Sequence, residues 1–355
     1  MRRIPQLDGL RALAILMVFA THAFGVPVLW IGVDLFFVLS GYLITGILLR
    51  LKDTRAVTGK YWSAFYSRRV RRILPPYFGF LIFISLTFPH LPWRHFWYWY
   101  ILPLANFPVA LRILPLAAFS PLWSLAVEEQ FYIVWPFIIL LCSRRTMRRV
   151  AIGIVLFSPI LRAIFTSHFS THFPIYTLTI FRADTLATGA FLALSEQSNS
   201  QWIAQRNTSA TVVGLLSVAL FGALSLFAPG FRTSANSILF NSLGYSLIAL
   251  FFGCTLLYTL AIREGFIYSV LTWTPVRYLG IISYTFYLYH EVVIGWLRAY
   301  FHSTVVVAAF AFLLTTAISA ASWHLMEKRI LAFHNKPPRP QDPSLTHENN
   351  APASV

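Results

Sequence analysis

Apolar runs of about twenty residues recur along the whole 355-residue chain. Coiled as a helix, a run of about 20 residues matches the ~30 Å hydrocarbon core of a bilayer. In lipid every backbone N–H and C=O must be satisfied within the protein, so only helices and closed barrels cross it. Runs this long and continuous are helices. Only 11% of the residues are charged, against about 25% in a soluble domain, and mean hydropathy is +0.65. The sequence therefore predicts an all-α, polytopic membrane helix bundle.

The spans read at about 7–25 and 29–51, then a third that follows the basic loop 52–72 and continues to about 91. Later spans lie near 122–142, 150–167, 176–194, 210–228, 239–262, 279–300 and 305–326. The first run reads as a membrane helix rather than a cleaved leader, because no small-residue cleavage site is followed by a polar mature domain. The stretch 93–120 is apolar but broken by Pro103, Pro108 and Pro115. The net charge of +16 speaks first of Lys and Arg in cytoplasmic loops, not of nucleic-acid binding. The basic groups at Arg2 and Arg3, 68–72 and 144–149 share one side only if 93–120 does not cross. That stretch is accordingly expected to be re-entrant or interfacial. The result is about ten crossings in the cytoplasmic (inner) membrane, with both termini cytoplasmic. Residues 1–330 form the membrane domain, and the Pro-rich polar stretch 331–355 reads as a disordered cytoplasmic tail.

The first span carries charge where lipid would penalise it. At about 100° per residue, Asp8, Arg11, Ile15, Val18 and His22 line one stripe. A charged group facing lipid at mid-membrane costs roughly 2.5 kcal/mol or more, so this face points into protein or a wet cavity. Other polar residues inside spans are Asp34, Glu128, Glu129, Arg182, Asp184, His290 and Glu291. Under this topology they fall in the middle or outer half of the membrane, while Arg11 and the arginines of 68–72 mark the inner side. Each has a bland alternative. Arginines at 68–72 anchor topology by default, Glu128 could pair with Arg182, and Asp34 could cap a helix. No His pair at close helical spacing occurs beside a carboxylate in the membrane, and no Gly-rich phosphate loop or nucleophile elbow is present. Cys142 and Cys254 imply no disulfide framework.

Six stretches, in order, resemble the acyltransferase-3 family of bacterial membrane enzymes. They are Leu7-Asp8-Gly9-Leu10-Arg11 with His22; Gly32-Val33-Asp34-Leu35-Phe36-Phe37-Val38-Leu39-Ser40-Gly41-Tyr42; Arg68-Arg69 with Arg72-Ile73-Leu74-Pro75; Trp123-Ser124-Leu125-Ala126-Val127-Glu128-Glu129-Gln130-Phe131-Tyr132; Phe181-Arg182-Ala183-Asp184-Thr185-Leu186 with Gly189; and Ser283-Tyr284 with Tyr287-Leu288-Tyr289-His290. One departure stands out. The family often carries a Pro shortly after the late His, where this chain has Glu291-Val292-Val293.

The resemblance implies an O-acyltransferase of the standalone type, without a fused esterase-like domain. Its donor would be acyl-CoA, by default acetyl-CoA, with no permanently bound cofactor and no metal. Its partners would be the lipid bilayer, a surface carbohydrate or glycolipid acceptor and, where transfer is completed elsewhere, a separate periplasmic transferase. In that setting Arg68, Arg69 and Arg72 would grip the CoA phosphates, and Arg11 would help to hold the donor. An imidazole near pKa 6.5 suits His22 as general base, or as a covalent acyl carrier. Glu128 or Asp34 would orient His22, and Arg182 or His290 would stabilise the oxyanion. A transporter or flippase of an envelope precursor is the alternative. The lack of an internal repeat counts against it.

Overall fold

The computed structural model describes residues 4–55, 60–91, 93–113, 117–198, 201–232 and 235–332. The tail expected from 331 onward lies almost wholly outside them, as do Arg2 and Arg3. The described chain is a helix bundle, built from α1 (Pro5–Phe24), α2 (Gly32–Arg55), α3 (Tyr61–Thr87), α4 (Trp93–Ile101), α5 (Asn106–Ala110), α6 (Leu122–Leu141), α7 (Arg144–Thr166), α8 (Phe173–Thr177), α9 (Thr179–Ser198), α10 (Trp202–Phe227), α11 (Tyr245–Ala261), α12 (Phe266–Thr272), α13 (Thr274–Arg298), α14 (Thr304–Ser322) and α15 (Lys328–Ala332). A π turn, Phe240–Gly244, leads into α11, and another, Trp323–Glu327, joins α14 to α15.

Among the described residues, eight helices are long and apolar enough to cross a membrane. Two more have the length but interrupt their apolar run with polar residues: α9, of 20 residues, and α13, of 25. Arg182, Asp184 and His290 on these two helices are buried, so their charge faces protein rather than lipid. Together the ten give a polytopic membrane protein. In the stretch 93–120 the longest helix is α4, of nine residues, or about 14 Å, too short to cross. It is pinned to the bundle by polar contacts: Gln130 donates to Pro103 O at 2.6 Å and Asn106 donates to Thr177 O at 3.2 Å.

Two parallel helix pairs position everything that follows. In the first, α1 lies along α13. A Cβ at Gly280 would overlap the Asp8 carbonyl, so only glycine allows this approach. In the second, α2 lies along α9, with Gly41 against the Leu186 carbonyl and Gly189 against the Val38 carbonyl. Gly189→Ala therefore forces α2 and α9 apart and should destabilise the protein by about 1–3 kcal/mol. Gly153→Ala, where nothing lies within 4 Å, should be neutral. Melting of both variants in detergent checks this, and equal melting temperatures would refute it.

A proline inside a helix also shapes the interior. Pro136 in α6 removes the N–H that would bond the Tyr132 carbonyl. The Tyr66 hydroxyl donates to that carbonyl instead, at 3.3 Å. The Tyr61 hydroxyl donates to Pro136 O at 3.0 Å, and Trp135 Nε1 donates to Thr45 Oγ1 at 2.8 Å. These bonds tie α6 to α2 and α3 beside a cavity.

Candidate active site

That cavity, of ≈ 150 Å³, has room for about five waters at ~30 Å³ each, more than a packing defect needs. Arg11 enters it from α1, Phe36 and Ser40 from α2, Arg69 and Arg72 from α3, Ser124 and Glu128 from α6, and Tyr284 and Tyr287 from α13. Arg11 is fixed by α13: its Nε donates to Gly280 O at 3.2 Å and its Nη2 to Ser283 Oγ at 3.1 Å. Its guanidinium lies 5.8 Å from the Phe36 ring centroid, and that of Arg69 lies 5.9 Å from Tyr132. Both are held over aromatic faces, an arrangement that stabilises a cation inside a bundle. The Ser40 and Tyr132 hydroxyls hydrogen-bond each other. Three cations against one carboxylate give the cavity a positive field suited to an anion.

Tyr287 walls off the far end. Its hydroxyl sits 2.7 Å from Ser124 Oγ and donates to Pro121 O at 3.1 Å. Directly behind it is His290, whose ring centroid is 5.6 Å from that of Tyr287. His290 meets His22 across the α1–α13 seam, with His22 Nδ1 at 2.8 Å from His290 Nε2.

The tautomers of this pair follow from a carbonyl. His290 Nδ1 is 2.7 Å from Tyr287 O, and a carbonyl can only accept, so Nδ1 carries the proton. In neutral His290 that leaves Nε2 as an acceptor. His22 Nδ1 must then be the donor, and the lone pair of neutral His22 is on Nε2. The His22 side chain is 33% exposed, so this basic nitrogen is reachable, while His290 is wholly buried.

The candidate residues thus fall into three groups. His22 and His290 are together. Arg11, Arg69, Arg72 and Glu128 are together, and Arg68 is exposed outside their cavity. Asp34 and Arg182 form a buried ion pair elsewhere, next to a second pair in which Arg162 Nη2 donates to Asp184 at 2.8 Å.

Three expectations need correcting. Glu128 and Asp34 were candidates to orient His22; the side chain hydrogen-bonded to it is His290. The arginines were expected in an inner loop, away from Glu128. In fact α3 begins at Tyr61, which puts Arg69 and Arg72 about 12–16 Å up a helix and level with Glu128. The basic residues extended the loop on paper because charge hides a helix from a hydropathy reading. Arg182 is spent on Asp34 and so stands apart from His22. Spacing gave no sign of Tyr287, Ser124 or Glu291 as neighbours of the site, since their proximity depends on which helices meet.

Sequence comparison agrees with the shared motifs. The acyltransferase-3 profile, described as an acyltransferase domain, matches residues 4–324. The chain belongs to the acyltransferase-3 family. Among its relatives, a peptidoglycan O-acetyltransferase of Listeria monocytogenes is 28% identical, over 82% of this chain and 49% of its own. A Bacillus subtilis protein provisionally named a peptidoglycan O-acetyltransferase is 30% identical over the same shares, 82% and 49%. A Staphylococcus aureus protein provisionally named an O-acetyltransferase is 32% identical over 54% of this chain and 35% of its own. This acyltransferase-3 chain spans about half the length of the first two. No solved structure matches it.

Proposed function

We propose that the chain transfers an acetyl group from acetyl-CoA, arriving from the cytoplasm, to a hydroxyl of a carbohydrate or glycolipid on the outer side of the membrane. The observation that carries this reading is the arrangement along α1. Arg11 and the cationic cavity lie toward one end, and the free nitrogen of His22 lies eleven residues on, about 16 Å away, with Tyr287 between. The side assignment rests on charge. Arg50, Lys52, Arg144, Arg145 and Arg149 gather at the helix ends on the side where α1 begins, and such clusters face the cytoplasm. In this reading the start of α1 and the last described helix are inside. The names of the Listeria and Bacillus relatives support acetyl as the group and a cell-envelope glycan as the kind of acceptor.

In this reading the CoA phosphates meet Arg69 and Arg72 by charge-assisted hydrogen bonds. Arg11 steadies the pantetheine arm, and the thioester reaches past Tyr287 to the histidine pair. The acceptor hydroxyl gives its proton to His22 Nε2 as its oxygen attacks the thioester carbon. The C–S bond breaks, and the proton passes to the CoA sulfur. Should His22 Nε2 instead attack first, it forms an acyl-imidazole as the C–S bond breaks and CoA leaves as thiolate; the acceptor oxygen then takes the acyl group from the imidazole and its proton passes to the sulfur. Either way, His290 steadies the positive charge on His22 by accepting from its Nδ1–H.

Membrane vesicles containing the chain should consume acetyl-CoA and release free thiol in the presence of an acceptor sugar. Vesicles that consume none would overturn the reading. Arg69→Ala should raise KM for acetyl-CoA about tenfold to a hundredfold, the value of a hydrogen bond to a charged group, with kcat little changed. A fall in kcat at constant KM would remove the cavity as the donor site.

A further inference from the structure

Glu291 has no role in that mechanism, yet its carboxylate is left in an unusual state. Its Oε2 is buried and meets no hydrogen-bond donor. It stands 3.9 Å from His22 Nε2, beyond hydrogen-bond length. Arg298, two turns along α13, does not relieve it by hydrogen bonding. That guanidinium donates to the carbonyls of His22 at 2.8 Å and Ala23 at 3.3 Å, capping the end of α1.

The tautomer argument makes His22 Nε2 an acceptor as well. Two acceptors therefore face each other across the gap, and neither can satisfy the other. A buried polar atom left in this way is costly, and a ligand that brings the missing donors recovers that cost on binding. The pair borders solvent, since the His22 and Glu291 side chains are 33% and 21% exposed, although Oε2 itself is covered. The gap needs two donors side by side.

We propose that Glu291 is a specificity residue that selects acceptors carrying two neighbouring hydroxyls. The proposal holds only if the chain is the acetyl-CoA-dependent transferase described above. One hydroxyl donates to His22 Nε2 and reacts. The hydroxyl on the adjacent carbon donates to Glu291 Oε2. Neighbouring ring hydroxyls stand about 2.8 Å apart, close to an O–H···O hydrogen-bond length, so a diol making bonds of about 2.8 Å to each acceptor bridges a gap of 3.9 Å. In the transfer step the reacting oxygen forms the ester bond as the C–S bond breaks. Its proton goes to His22 and then to the sulfur, while the second hydroxyl and Glu291 keep their protonation. A lone alcohol fills one half of the site and leaves Glu291 unpaired, and a site built to receive a hydroxyl rejects the analogue that lacks it. The sequence departure noted above falls here, since Glu291 opens the segment where the family often has its Pro.

The test uses the full chain in nanodiscs, acetyl-CoA as donor, and two probes on the same ring, trans-cyclohexane-1,2-diol and cyclohexanol. The wild type should favour the diol in kcat/KM by at least about tenfold. Glu291→Ala should erase that preference by raising KM for the diol, leaving cyclohexanol turnover and KM for acetyl-CoA unchanged. Glu291→Gln keeps a carbonyl oxygen that accepts, and should retain most of the preference. Equal turnover of both probes by the wild type would remove the role of Glu291 while leaving the transferase reading intact. So would equal losses on both probes in Glu291→Ala. No acetyl-CoA turnover with either probe or with an acceptor sugar would overturn both, and turnover with a sugar alone would overturn the role of Glu291. The wild-type ratio decides the matter even where Glu291→Ala does not fold.

Discussion

His22→Ala should abolish acyl transfer, lowering kcat by about 10²–10⁴-fold, the range for loss of a positioned general base, or more if His22 carries the acyl group itself. The protein should still insert and fold, with a loss of stability of about 1–3 kcal/mol at most from leaving His290 Nε2 without its donor. His22 is near the end of α1 and part-exposed, and Arg298 holds that helix end through the backbone carbonyls of His22 and Ala23, which the substitution retains. Binding of acetyl-CoA should also persist, because Arg11, Arg69 and Arg72 are untouched. Kinetics on purified protein, with donor binding measured separately, check both halves. Wild-type turnover by His22→Ala would place the chemistry elsewhere. Loss of donor binding along with turnover would show instead that His22 belongs to the donor site.

The second large effect concerns the fold. Arg182→Ala should destabilise the bundle by about 3–5 kcal/mol, the cost of leaving one partner of a buried ion pair without the other. Asp34 and Arg182 are both fully buried. Asp34 keeps only a long bond from the Thr185 hydroxyl, 3.4 Å. Around them, Arg162 holds Asp184, the Phe181 carbonyl at 2.6 Å and the Ser246 hydroxyl at 2.7 Å, and the Arg182 guanidinium lies 4.2 Å from the Tyr245 centroid. The cluster thus clamps α2, α7, α9 and α11. Replacing both Asp34 and Arg182 by Leu should regain much of the loss, because it removes the stranded charge as well as the pair. Melting and the yield of folded protein would report this. An unchanged melting temperature in Arg182→Ala would show that the pair contributes nothing to the fold.

The contrast between these residues shows what the sequence could and could not reveal. The spans were legible because lipid enforces length and apolarity, and the Arg11–His22 stripe was legible because helical geometry fixes direction along one helix. Partners were not legible. Arg11 and Glu128 share a cavity, and His22 meets His290, because α1 packs in parallel on α13, which glycine contacts at Gly280 permit and no periodicity announces. Arg182 read as a mid-membrane cation free to act on substrate. Its actual neighbour, Asp34, is 148 positions away in sequence, and charge alone does not say which carboxylate a buried arginine will find. The start of α3 was hidden for the opposite reason, since its first turns carry too many arginines to look like a membrane helix.

The central claim is that one chain carries an acetyl group from a cytoplasmic thioester to an outer hydroxyl. Sealed proteoliposomes of uniform orientation, with radiolabelled acetyl-CoA only on the cytoplasmic side and a sugar acceptor only on the other, test it directly. The account predicts acetylated sugar on the outer side and free CoA on the cytoplasmic side, in equal amounts, both lost in His22→Ala. Intact acetyl-CoA on the acceptor side, or no labelled sugar there while the chain is folded and the vesicles are sealed, would contradict it.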